Sequence, residues 1–315
     1  MKHFLFFILY YIMKYFVTYG NDTFKNAKIR IEQEAINTNF FDKILIYGPE
    51  FINNQFRSIF NYLSSNFFFY KMKGGGFWLW KPYFIKVVLD SINEGDILVY
   101  CDSGCTISKF GEERFNHYID MLKKSEFGTI SFQMTHLPEN NWTKKEVFDF
   151  FKLDPYSDIG KSGQYMATII IIIKKKHSID LVNKWFELAS NNHNLFTDYT
   201  LESKENNIKH FLTKPQIGEF KDHRHDQSIF SILRKIHGSI IIHDETFINN
   251  EEWNKISHIP FLSTRLHFIK SHNLDDKNDK NYCCSEHYEY SNCSENCFKK
   301  YQLYLLTHHT TKPIQ

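Results

Sequence analysis

The sequence predicts an α/β fold, a Rossmann-like mixed and mostly parallel sheet flanked by helices. Three observations carry that expectation. Short apolar runs at 43–47, 97–100 and 168–173 alternate with stretches of helical periodicity, the order that builds βαβ units. Turn-forming residues follow those runs at once, as in Gly48-Pro49 and Asp102-Ser103-Gly104. The run 168–173 is apolar at nearly every position, as a strand covered on both faces must be.

Taken in order, residues 1–12 read as an apolar leader or a gene-model extension. The run 4–13 falls short of the about 20 residues a spanning helix needs, so any membrane association would rest on it alone. A strand at 15–19 and a turn at 20–23 lead into a helix at 24–36, with Phe24, Ala27, Ile31 and Ala35 near helical spacing. A strand at 43–47 and a helix at 50–63 come next. Residues 74–104 then join a glycine turn, an aromatic-basic cluster, an amphipathic helix, a buried strand at 97–100 and an acid, Asp102, at that strand's end. In open α/β sheets ligands bind beyond the carboxyl ends of strands, so Asp102 stands where a metal or a ribose would be held.

Downstream, a helix at 112–124 places Phe115, Tyr118, Ile119 and Leu122 on one face, and a strand spans 128–134. Thr143 and Glu146 form a capping-box pattern that opens a short helix. A loop at 154–165 precedes the strand at 168–173, and Leu181, Val182 and Trp185 give the helix at 178–190 a broad apolar face. Residues 191–222 read as irregular, 226–236 as helix and 239–243 as strand. The main domain is therefore 13–264, with a polar, Cys-rich appendage at 265–315. In that appendage Cys283, Cys284, Cys293 and Cys297 are reduced thiols, two disulfides or, with His287, a zinc site. The absence of paired Cys-x-x-Cys ligands disfavours zinc.

Composition narrows the function. Hydrophobic residues make up 42% and aromatics 17%, which rules out a disordered chain. With 38 basic against 36 acidic residues the net charge is +2, so no nucleic-acid partner is expected. The expected compartment is the cytoplasm, the host's if the chain is viral, rather than the secretory route.

Four motifs occur in order: Phe77-Trp78-Leu79-Trp80-Lys81-Pro82-Tyr83, Gly95-Asp96-Ile97-Leu98, Tyr100-Cys101-Asp102-Ser103-Gly104 and, far downstream, His223-Arg224-His225-Asp226-Gln227-Ser228. Together they resemble those of a GT-A-fold glycosyltransferase-like family of bacteria and large DNA viruses. The resemblance implies transfer of a sugar from a nucleotide-sugar donor to a glycan, protein or lipid acceptor, or a noncatalytic descendant that binds the same ligands. It implies Mn or Mg at Asp102, bridging the diphosphate as a Lewis acid. The second acid of Asp-x-Asp is missing here, Gly104 standing in its place. His243 and His267 are candidates to complete a metal shell. Lys81 is the expected diphosphate cation, Trp80 an expected stacking platform, and Gln164 and His225 expected polar contacts. Asp226 and Gln227 are expected at the sugar, Asp226 either binding hydroxyls or acting as general base.

Overall fold

The computed structural model describes residues 11–65, 73–198, 216–247, 253–268 and 282–284. Eight strands organise it: β1 (Lys14–Tyr19), β2 (Lys43–Tyr47), β3 (Ile97–Cys101), β4 (Thr106–Ile107), β5 (Thr129–Pro138), β6 (Gly163–Tyr165), β7 (Ile169–Ile173) and β8 (Ile240–His243). All but β4 form one 7-stranded sheet in the order β2-β1-β3-β7-β5-β6, with β8 also paired to β5. The sheet is mixed and mostly parallel, as expected. β1, β2, β3, β5 and β8 point one way, and only β6 and β7 oppose them.

Alternation along the strands sorts side chains onto two cores. Val17, Leu98, Tyr100, Ile170 and Ile172 face one layer, built from the helices Trp80–Ser91, Lys176–Asn191 and His225–His237. Phe16, Ile97, Val99, Ile169 and Ile171 face the other, built from Lys25–Thr38 and Glu112–Lys124. Both faces are covered, which is why β7 is five isoleucines without a polar interruption. Trp185 is fully buried and stacks on Phe230 with ring centroids 4.0 Å apart, joining two helices of the first layer.

Some local expectations give way to tertiary contacts. The predicted capping box is not made: Thr143 Oγ1 donates to buried Glu139 at 2.8 Å, and the helix runs from Lys145 to Phe151 with Lys144 as its cap. A hydroxyl so close to a buried carboxylate serves it first, because leaving that carboxylate short of donors costs more than a missing cap. The expected loop at 154–165 contains the short helix Asp158–Lys161 and strand β6. Residues 1–10 of the expected leader 1–12, and Cys293 and Cys297, lie outside the described residues. Cys283 and Cys284 belong to a short strand, Tyr282–Cys284, antiparallel to Leu266–Phe268.

Candidate functional site

The site forms beyond the carboxyl end of β3. Asp102 follows that strand, its amide donating to Thr168 O at 2.9 Å across the start of β7. The turn after it is fixed from the opposite core layer. Arg30 Nη2 donates to Ser103 O at 2.9 Å and Cys105 O at 2.7 Å, while Glu34 accepts the Ile107 amide at 2.8 Å. Arg30 and Glu34 also pair with each other one helical turn apart. This clamp gives Asp102 a rigid base.

Lys81 enters from the Trp80–Ser91 helix and joins the two acids singled out in the sequence. Its Nζ lies 3.2 Å from Asp102 Oδ1, 2.9 Å from Asp226 Oδ2 and 3.1 Å from Ala167 O. An ammonium has three protons, and three protein acceptors surround this one. Its side chain is 3% exposed, against 5% for Asp226 and 31% for Asp102. Lys81 is thus a buried pin between carboxylates rather than an open cation for a diphosphate. Burial disfavours its charge, yet Asp102 and Asp226 outweigh that and raise its pKa. Asp226 is pushed up to about 6, first by burial and only partly relieved by Lys81. Tyr100 OH donates to Asp102 Oδ1 at 2.6 Å, and burial holds that phenol well above its ordinary value.

The chain reaches Lys81 through an unusual turn. Gly74, Gly75, Gly76, Phe77 and Trp78 have φ of 62°, 60°, 104°, 55° and 57°, one turn of left-handed helix, with Phe77 N donating to Lys73 O at 2.8 Å. Three glycines adopt it freely. Phe77 and Trp78 each cost about 1–2 kcal/mol there. The turn carries Trp78 against His225, ring centroids 5.2 Å apart, and sets Trp80 into the core. Trp80 stacks on Tyr19 at 3.9 Å and donates Nε1–H to Gly74 O at 3.0 Å, so its indole is spent on the fold.

Other expected contacts are also internal. Gln164 is buried and its Nε2 meets Glu139, Thr143 and Ser228 at 3.0–3.1 Å, while its Oε1 accepts Gln227 Nε2 at 2.7 Å. Gln227 Oε1 in turn accepts the Ala167 amide at 3.3 Å. Together these amides hold the β6–β7 junction, whose Ala167 carbonyl receives Lys81. Gly104 packs on residues 264–266: a Cβ there would lie 3.3 Å from Arg265 Cα, and Gly104 O accepts the Leu266 amide at 2.8 Å. His223 is a satisfied core histidine, Nε2 donating to Leu195 O at 2.8 Å and Nδ1 taking the Lys144 amide at 3.3 Å.

His243 ends β8, three strand spacings from Asp102 through β7 and β5, or about 14 Å at about 4.8 Å per strand. That separation excludes a shared ion. The side chain of His267 lies outside the described residues. Asp102 and Asp226 are the acids left for a divalent cation, and both are committed to Lys81; no cluster of three metal-ligating side chains occurs among the described residues. Lys81 thus stands between the two acids to which the motif resemblance points for a divalent ion. Also among the described residues, no helix is long and apolar enough to cross a membrane.

No protein-family model matches the sequence, and no curated protein matches it. Among solved structures it is similar to a glycosyltransferase involved in glycosylation of the major capsid of PBCV-1, with TM-score 0.40 and 8% identity over 82% of this chain and 96% of that one. It is also similar to mouse xyloside xylosyltransferase 1, with TM-score 0.39 and 10% identity over 79% and 97% of the two chains. For the glycosyltransferase GlyE of Streptococcus pneumoniae TIGR4 the values are 0.41 and 11% over 97% and 66%. Likeness this slight assigns neither family nor activity.

Proposed function

We propose that the chain is a glycosyltransferase that moves a sugar from a nucleotide-sugar to an acceptor hydroxyl. One observation carries the reading: Asp102 and Asp226, from segments far apart in sequence, meet on buried Lys81 beyond the carboxyl end of β3, where open α/β sheets bind ligands. In the transfer, the acceptor oxygen bonds to the anomeric carbon as the bond from that carbon to the diphosphate oxygen breaks, releasing the nucleoside diphosphate. The acceptor proton passes to a base. Asp226 suits that task, since a carboxyl pushed up to about 6 is ionised at neutral pH and still basic enough to take a proton. Asp102, the more open of the pair, meets the donor's ribose or diphosphate. Lys81 holds both acids in place. Arg265, exposed and in a left-handed backbone beside Gly104, is a cation that can meet the diphosphate.

The commitment of both carboxylates to Lys81 favours a second reading, a noncatalytic binder of the same ligands. A thermal-shift screen against nucleoside diphosphates and their sugars, with Mn and with chelator, separates the cases when paired with assay of released nucleoside diphosphate. The transferase reading expects a shift and turnover, both retained in chelator, with turnover alone lost in Asp226→Asn. It also expects Arg265→Ala to weaken nucleoside diphosphate binding about tenfold, the worth of one charge-assisted hydrogen bond. A shift without turnover for any donor leaves the binder; no shift from folded protein removes both.

A further inference from the structure

Immediately before Asp226, His225 opens its helix in a left-handed backbone, φ 51°, unusual for any residue but glycine. Its imidazole is fixed on several sides. Nδ1 lies 2.7 Å from Phe196 O, which a carbonyl permits only if Nδ1 carries the proton. Trp78 lies stacked against the ring and Phe77 beside it, each with centroid 5.2 Å away. Burial, with Lys73 nearby, drives the pKa of His225 down to about 3, so the ring is neutral.

A neutral ring protonated on Nδ1 offers a lone pair at Nε2. That atom is buried and has no hydrogen-bond partner among the described residues, and Asp198 Oδ1 faces it at 3.6 Å. Two acceptors thus confront each other with no donor between them. Protonating Asp198 does not close the gap, because an O–H···N bond needs a separation well below 3.6 Å. Exposure rises outward from His225 at 3% to Asp198 at 16%, and further through Lys73 to Asp222, which pair at 3.2 Å. The acceptors therefore lie at the inner, buried end of a row of polar side chains. A buried acceptor pair recognises a molecule that brings its own O–H groups, and an adjoining indole and ion pair suit a sugar ring better than a flat base.

We propose that His225 Nε2 and Asp198 form a sugar-hydroxyl recognition point beside Asp226. The assignment rests on the reading of the crevice as a nucleotide-sugar site. Donor and acceptor sugars share this chemistry, so the test separates them. Calorimetry on the full chain compares UDP with UDP-glucose, UDP-galactose and UDP-N-acetylglucosamine, and GDP with GDP-mannose; NMR titration follows free glucose, galactose and mannose. The wild type should favour at least one nucleotide-sugar over its diphosphate, or bind at least one free sugar. Asp198→Asn replaces an acceptor oxygen with an N–H, so the point no longer presents two acceptors, and His225→Asn keeps a residue that tolerates the left-handed backbone. Either change should cut the sugar-dependent affinity by about tenfold, while affinity for UDP or GDP stays within about twofold.

Loss confined to the nucleotide-sugars assigns the point to the donor, and loss confined to free sugars assigns it to the acceptor. In the wild type, long-range nitrogen NMR should record an unprotonated Nε2 on His225 that shifts when the sugar binds, a readout independent of how the variants fold. Sugar-dependent affinity that survives both variants, an Nε2 resonance unmoved by a bound sugar, or a wild type with no affinity for any sugar tested overturns the inference. Nucleotide binding that persists beside any of these results leaves the proposed function standing and removes only the hydroxyl contact.

Discussion

Lys81 decides the site's electrostatics. Removing one member of a buried charge cluster leaves its partners uncompensated, so Lys81→Met should destabilise the fold by about 3–5 kcal/mol. Asp226→Asn in the same chain should restore part of that loss, because the two carboxylates then no longer face each other as charges. Denaturant unfolding of both single variants and the double checks this; strict additivity would sink the shared-cluster account. If Asp226 is the base, kcat/KM should rise with pH to a plateau with a midpoint near 6, the value to which burial lifts it. A rate profile flat from pH 5 to 8 would remove it from that role. Both acids were legible in the sequence, each standing at the edge of an element. The role of Lys81 was not, since a cation beside an aromatic motif points equally to a ligand anion and to distant carboxylates.

At the scale of elements, the left-handed turn explains the triple glycine. Gly74 has no room for a side chain: a Cβ would sit 2.3 Å from the Trp78 ring, whereas at Gly75 the nearest atom, Trp80 Nε1, is 3.8 Å away. Gly75→Ala should therefore cost about 1–2 kcal/mol, the backbone penalty alone. Gly74→Ala should cost more and should also disturb the Trp78–His225 stack, seen as a larger fall in Tm and altered tryptophan fluorescence. Equal losses would argue against the turn. Trp185→Ala should cost about 3–5 kcal/mol, because it empties a fully buried volume against Phe230. The apolar stripe of the Lys176–Asn191 helix was readable from its period. Gln227, Ser231 and Lys235 stand at helical spacing on one polar stripe, yet the stripe is turned inward: Ser231 and Lys235 both donate to buried Glu139 and Gln227 joins Gln164.

For the whole molecule, two buried histidines link stability to acid. Burial lowers His223 well below its ordinary value and His225 to about 3, while both take protons near 6.5 once unfolded. Their contribution is complete above about pH 6.5 and is lost as pH falls toward 3. Replacing His225 with Asn should make the loss of unfolding free energy between pH 6 and 4 shallower by about 1.4 kcal/mol per pH unit. Parallel urea titrations at several pH values check the slope, and identical slopes for variant and wild type would mean that His225 titrates normally in the fold.

The sequence alone determined the layered α/β architecture, because strand and helix periods and a strand apolar on both faces admit few other arrangements. It also placed Asp102 at a strand end and Asp226 at a helix start. Tertiary structure decided which polar groups are spent and which are left over. Gln164, Gln227 and Lys81 are consumed by partners on other segments, Trp80 packs on Tyr19 of β1, and His243 is set three strands away. Among the described residues the lone pair of His225 remains without a donor, facing Asp198. Local sequence records a residue's chemistry and its element. Whether its hydrogen bonds are already satisfied depends on neighbours that only the folded chain brings within about 3 Å.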